Sequence, residues 1–331
     1  IILIHYLTNC SSNIMSLLEV VNLNVKFNIL DGVVNAVNDV SFEINTNEIL
    51  GIVGESGSGK SVTFLSLFGL IPQPPGEIIS GKVIYKSENI FELNNKKLLK
   101  LRSEEIGFIY QDPLTSLNPV IKIINQIIES LVLSKNISKS DAFSEAKKLL
   151  NHVGIVDITN NYNSYPHQYS GGMRQRAMIA MAIANNPNLL IADEPTTALD
   201  VTIQAQIIDL IKKLKNEIEM SIVWISHDLG VIAGIADRVI VMYAGYIVEE
   251  APVFELFKNP KHPYTKGLLN SVPRINSNKV IDGIEGIPPD GLKKHVCCPF
   301  SARCSSVMDK CFNNIPPLKI INNDHRVSCF L

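Results

Sequence analysis

The chain lacks any marked excess of charge. Its 331 residues carry 30 Lys and Arg against 32 Asp and Glu, a formal net charge of −2, and basic residues form no run. A nucleic-acid-binding surface built on a polybasic stripe is therefore not expected. Although 46% of residues are hydrophobic, no unbroken apolar stretch reaches the roughly 20 residues a membrane-spanning helix needs. The chain reads as soluble, or docked on a membrane through a partner. Residues 1–7 are apolar but too short to span, and they have neither the basic flank nor the small-residue cleavage site of a signal peptide. Residues 1–14 are expected to be a dispensable, poorly ordered extension ahead of Met15. Internal repeats and low-complexity tracts are missing. Cysteine is nearly absent until the end: Cys10 stands alone, and Cys297, Cys298, Cys304, Cys311 and Cys329 fall in the last 35 residues. Nothing directs the chain to an oxidising compartment, so a disulfide framework is not expected.

What is present is sharper. Gly54, Glu55, Ser56, Gly57, Ser58, Gly59, Lys60 and Ser61 fit the phosphate-loop pattern G-x-x-x-x-G-K-[ST]. An apolar run, 48–53, precedes it, and a helix-like segment from Val62 to residue 70 follows, the strand–loop–helix setting the motif requires. The glycines let successive N–H groups turn inward, and the helix start adds partial positive charge where phosphates sit. Lys60 reaches for β and γ phosphates; the Ser61 hydroxyl suits Mg²⁺. A nucleoside triphosphate is the expected ligand.

Strands are expected at 18–27 and 33–44, joined by an Asp31-Gly32 turn, and at 81–87 and 106–110. Residues 94–102, 121–133 and 142–153 have helical spacing. The short apolar runs 189–192 and 222–225 suit central parallel strands, and 239–243 with 246–248 flank Ala244-Gly245 as a hairpin. After Pro252 the composition shifts to Pro, Asn, Lys and Cys, which marks a boundary. The fold class is α/β, a P-loop NTPase core.

Two further motifs accompany the loop. The strand 189–192 ends in Asp193 and Glu194, placed to support Mg²⁺ and to polarise a water. Ser170, Gly171 and Gly172 open a helix over 173–184, with Ser170 as its N-cap. The order phosphate loop, Ser-Gly-Gly helix start, Asp-Glu strand resembles the ATP-binding cassette (ABC) ATPases over residues 18 to about 250. The resemblance implies a RecA-like core with an antiparallel β subdomain and a helical subdomain at about 112–186, in a cassette spanning 15–250. It implies ATP and Mg²⁺, and a dimer in which the Ser170–Gly172 segment faces the γ-phosphate held by the other subunit. By resemblance Phe27 stacks on adenine, Gln111 senses Mg²⁺ and water, Asp200 lies in the loop crossing the dimer interface, and His227 is the switch histidine. The usual Leu-Ser-Gly-Gly-Gln is Tyr169-Ser-Gly-Gly-Met173 here, and Phe27 replaces a tyrosine.

Three segments, 111–119, 165–167 and 259–265, resemble the oligopeptide/dipeptide importer ATPases, and the last begins a C-terminal extension, 251–331, of that subfamily. Met173 resembles the first of the two ATPase subunits in these systems. The resemblance implies a sister cassette, two membrane permease subunits, an extracytoplasmic binding protein, and a peripheral place on the cytoplasmic face of the cell membrane. Nickel and glutathione importers share these features. Two other classes, a soluble non-transport ABC ATPase and a non-hydrolysing nucleotide-binding scaffold, remain as alternatives; Glu194 and His227 speak against the second. Cys298, Cys304, Cys311 and Cys329 are spaced C-x5-C-x6-C-x17-C, which resembles the cysteine pattern ending many subfamily members. Four nearby thiolates suit an iron–sulfur cluster or Zn²⁺, and the absence of a C-x2-C hook favours [4Fe-4S]. Free buried thiols are the alternative reading.

Overall fold

The computed structural model describes residues 16–156, 161–197, 199–272, 283–292, 294–322 and 324–331. The expected N-terminal extension lies outside them. Two strands, β1 (Ser16–Ile29) and β2 (Gly32–Asn45), form the expected hairpin, with Ile29 opposite Gly32. They alternate buried and exposed positions, the mark of a sheet with one face on the core. The next strand, β3 (Ile49–Val53), is buried at all five positions. It feeds the phosphate loop and then α1 (Lys60–Leu67), which begins two residues earlier than the apolar spacing suggests.

The chain returns to the hairpin through β4 (Gly76–Tyr85) and β5 (Glu88–Asn89), giving an antiparallel sheet of order β2-β1-β4-β5. After α2 (Asn95–Glu104) and β6 (Ile106–Ile109) comes a helical block: α3 (Pro113–Ser116), α4 (Ile123–Lys135), α5 (Lys139–His152) and α6 (Gly171–Ile183). Side-chain caps on Asp112, Ser138 and Ser170 start three of these helices.

The remaining core strands are β7 (Leu189–Asp193), β8 (Ser221–Ser226), β9 (Arg238–Tyr243) and β10 (Tyr246–Pro252), with α7 (Val201–Ile218) and α8 (Leu229–Ile235) between them. The extension supplies α9 (Val253–Lys258), α10 (Pro263–Asn270), β11 (Lys319–Asn322) and β12 (His325–Val327). The second sheet runs β11-β12-β10-β9-β3-β8-β7-β6, parallel from β9 through β6 and antiparallel beyond.

The central strands are buried on both faces. In β3, Ile49 and Val53 join one core while Leu50 and Ile52 join the other; in β8, Ile222 and Trp224 face the first and Val223 and Ile225 the second. That two-sided burial is why these strands read as continuous apolar runs. The first core holds the helical block together with Cys298, Phe300 and Cys311; the second holds the antiparallel sheet and α1.

The extension grips the sheet. Pairing of β12 with β10 sets Val327 opposite Glu249. The Glu249 carboxylate, fully buried, accepts from the Lys261 and His262 N–H groups at 2.6 and 2.9 Å and bonds His325 Nε2 at 2.7 Å. A buried carboxylate with three such partners ties strand, helix entry and chain end together.

Candidate nucleotide site

Four strands of the parallel sheet deliver their chemistry at their C-terminal ends, where ligands of open α/β sheets bind. The phosphate loop leaves β3, Gln111 follows β6, Asp193 and Glu194 end β7, and His227 follows β8.

The loop is framed by neighbours distant in sequence. At Gly54, φ is +155° and an added Cβ would lie 2.3 Å from the Met242 carbonyl oxygen and 2.7 Å from Ser58 Oγ. At Gly59, φ is +94° and a Cβ would lie 2.4 Å from the Ala36 carbonyl oxygen. Gly245, in the β9–β10 turn, donates its N–H to the Ser58 carbonyl at 3.0 Å. Lys60, only 6% exposed, turns its ammonium back into the loop and donates to the Gly54 and Glu55 carbonyls at 2.8 and 2.9 Å. Burial lowers its pKa, against the opposing pull of Glu194, Asp193 and Glu55.

Ser61 Oγ donates to Asp193 Oδ1 at 2.9 Å, so the two oxygens expected to support a metal already sit together. Burial raises the Asp193 pKa, and the Ser61 hydrogen bond partly offsets that. Glu194 is the hub beside them. Its φ of +47° departs from the strand geometry of β7, while its N–H still bonds the Ile225 carbonyl at 3.0 Å. A left-handed conformation is costly for a residue with a Cβ, by about 1 kcal/mol or more. Its Oε2 accepts from Gln111 Nε2 and Thr197 Oγ1, each at 3.0 Å, and its Oε1 lies 3.2 Å from His227 Nδ1. Burial pushes its carboxyl up, but the hydrogen bonds from His227 and Thr197 outweigh it and hold the carboxyl below the ordinary value of 4.5. Glu194 is thus a carboxylate at neutral pH, oriented from three sides.

The structure therefore brings Lys60, Ser61, Gln111, Asp193, Glu194 and His227 into one site. Glu55, Ser56, Gly57, Ser58 and Val62 follow the loop. Phe27 sits at the end of β1, opposite Val34 and Gly76, packed on the second core. Ser170 caps α6 with Oγ accepting from the Met173 N–H at 3.3 Å, and an added Cβ on Gly172 would meet Ile203 Cγ2 at 3.0 Å. Asp200 caps α7 through the Ile203 N–H at 2.9 Å, so the Ser-Gly-Gly start and the Asp200 loop share one neighbour. Ala198, in that loop, lies outside the described residues. Tyr169 is buried and its hydroxyl donates to the Asn161 carbonyl at 2.7 Å, which accommodates the bulk that replaces leucine.

Sequence reading missed Thr197, Tyr264 and Arg303. Thr197 follows Glu194 by three residues, a spacing that could have flagged it. Tyr264 and Arg303 reach the loop from more than 200 residues away, and no local signal marks them.

Cys298, Cys304, Cys311 and Cys329 line one small cavity together with His262, Phe300 and Met308. Burial pushes the Cys298 thiol up to about 11 and raises that of Cys304. Among the described residues no group of three or more His, Cys, Asp or Glu side chains is arranged to hold a metal ion. Among them, too, no helix is long and apolar enough to cross a membrane.

Comparison with known proteins agrees with this geometry. The ABC transporter family profile matches residues 37–197, and that of the oligopeptide/dipeptide transporter C-terminal region matches residues 248–311. Oligopeptide transport ATP-binding protein OppD of Bacillus subtilis is 48% identical, covering 95% of this chain and 88% of its own. Dipeptide transport ATP-binding protein DppD of the same organism is 46% identical, covering 95% and 94%. Among solved structures, a dimeric ATP-binding cassette in a post-hydrolysis state with ADP and Pi aligns with a TM-score of 0.64 at 28% identity, covering 71% of this chain and 98% of that one.

Proposed function

This chain belongs to the ABC transporter family, and on that premise we propose that it is the ATP-binding and hydrolysing subunit that powers uptake of di- or oligopeptides. The observation that carries the assignment is the convergence of loop, Gln111, Asp193, Glu194 and His227 at one edge of the sheet, with an oligopeptide-transporter C-terminal region attached. We place the cassette at 15–250, with its helical subdomain at about 112–186, followed by the extension 251–331; the profile matches fall at 37–197 and 248–311.

Lys60 and the loop N–H groups hold the triphosphate, and Phe27 offers a face to adenine. Mg²⁺, held by Ser61, Asp193 and Gln111, would neutralise phosphate charge. Glu194 takes a proton from the attacking water while His227 and Thr197 keep it in place. Ser170, Gly171 and Gly172 complete the site of a sister cassette, and Asp200 crosses to it. Exposed apolar side chains a few residues after Gln111 in the chain, Leu114 at 56% and Val120 at 78%, support docking of a permease subunit on this segment. The assembly then has two cassettes, two permeases and an extracytoplasmic binding protein, with this chain peripheral on the cytoplasmic face. Reconstitution of these subunits in vesicles tests the reading: ATP hydrolysis should rise with binding protein and dipeptide. Stimulation by nickel or glutathione instead would redirect the substrate.

Among the described residues the four cysteines line one cavity without being arranged to hold a metal ion, so the proposal of a [4Fe-4S] cluster, with Zn²⁺ as the alternative, rests on their C-x5-C-x6-C-x17-C spacing. The cluster would pin the extension rather than carry electrons. Iron, sulfide and zinc analysis of anaerobically purified protein should find four irons; metal-free, colourless protein would sink this assignment.

A further inference from the structure

The second residue of the phosphate loop is held from outside the cassette. The guanidinium of Arg303 grips both oxygens of Glu55, Nη1 to Oε2 at 2.6 Å and Nη2 to Oε1 at 3.0 Å. Its Nε donates to the Glu285 carbonyl at 2.9 Å, Nη2 also donates to the Ile284 carbonyl at 3.3 Å, and its centre lies 5.8 Å from the Tyr243 ring centroid. The Arg303 side chain is 5% exposed and that of Glu55 26%, so the fork is partly buried, and the guanidinium is held on several sides. The Glu55 backbone is held as well: its N–H donates to the Tyr264 hydroxyl at 2.9 Å. Tyr243 and Tyr264 both pack on Phe300, with ring centroids 5.2 and 5.3 Å away.

Side chain and backbone of Glu55 thus rest on residues of the C-terminal extension. The Glu55 carbonyl, in turn, accepts from Lys60 Nζ at 2.9 Å. A continuous line of contacts runs from the segment between Cys298 and Cys304, through Arg303 and Glu55, to the lysine that meets the phosphates. An arginine is required for it, because an ammonium cannot form two parallel bonds to a carboxylate while also reaching two carbonyls.

We propose that Arg303 is a positioning residue for nucleotide: by fixing Glu55 it holds the phosphate loop in its binding form, so that the C-terminal extension sets the affinity for ATP. This rests on the reading that the loop binds ATP, and the test separates the two. Binding of a fluorescent trinitrophenyl-ATP and thermal unfolding are measured on the same samples of the full chain, for wild type, Arg303→Gln, Arg303→Lys, Glu55→Gln, the double Arg303→Gln/Glu55→Gln, and Lys60→Ala. Arg303→Gln should weaken binding about tenfold, as expected for loss of one close charge-assisted pair, with Arg303→Lys restoring less than half of that loss. Glu55→Gln is the informative partner. Removing a negative charge beside a triphosphate would tighten binding on electrostatic grounds alone, so weakened binding there reports lost positioning. The double variant should bind no worse than the poorer single one, because both remove the same contact.

A lowered unfolding temperature with unchanged affinity in Arg303→Gln, or losses that multiply in the double variant, would overturn the proposal. If Arg303→Gln does not fold, Glu55→Gln decides: tighter or unchanged binding refutes it. Lys60→Ala binding like wild type would instead bring down the ATP reading itself, whereas Lys60→Ala failing while Arg303→Gln binds normally removes only the role of Arg303.

Discussion

Replacing Glu194 by Gln isolates the chemistry of the site, because the structure accommodates the amide. The Gln side chain keeps the volume of Glu and the left-handed backbone at φ +47°. Its oxygen can stay on the side of Gln111 and Thr197, which both donate to Oε2 at 3.0 Å. Its NH₂ then points at His227 Nδ1, 3.2 Å from Oε1, which accepts when the imidazole is neutral. No buried donor is orphaned, so the fold should lose little, roughly 1 kcal/mol or less for turning charge-assisted bonds into neutral ones. The lost function is basicity. A positioned general base contributes about 10²- to 10⁴-fold in rate, or about 3–5 kcal/mol at 1.36 kcal/mol per decade. Steady-state phosphate release should therefore fall by at least about a hundredfold while ATP affinity stays within about threefold. The pH profile adds an independent reading. Because the folded-state carboxyl lies below 4.5, the carboxylate persists as pH falls through the ordinary glutamate range. Titration of Glu194 should therefore not limit hydrolysis above the ordinary glutamate range, and the stability the carboxylate contributes is lost only as pH falls through the lowered pKa. Hydrolysis by Glu194→Gln within about fivefold of wild type would refute the assignment of Glu194 as base.

Gly54→Ala should abolish nucleotide binding and cost roughly 2–4 kcal/mol, because a Cβ at φ +155° would strike a main-chain carbonyl 2.3 Å away; binding and chemical denaturation of the purified variant check both halves, and near-wild-type affinity would contradict the loop geometry. Glu249→Gln should destabilise by roughly 2–3 kcal/mol, since one amide hydrogen must face a buried N–H donor where a carboxylate oxygen now accepts. Denaturation showing a loss under about 0.5 kcal/mol would mean that the β10–β12 lock contributes little.

The local half of this protein was legible in its sequence. Glycine at 54, 57 and 59, followed by Lys60 and Ser61, states a phosphate loop because few residue types can turn successive N–H groups inward. The runs at β3, β7 and β8 announce central parallel strands because both of their faces are buried. Ser170 announces a helix start because a short polar side chain satisfies the first free N–H groups. Each of these signals is physical chemistry within a few residues of backbone. Tertiary structure alone decided what converges. Gln111, Glu194 and His227 meet because three parallel strands end at the same edge of one sheet, an alignment no spacing along the chain encodes. The hold of Arg303 on Glu55 spans 248 residues. Its energy comes from a partly buried fork that exists only once the extension has folded back over the loop, so neither residue alone carries a trace of it.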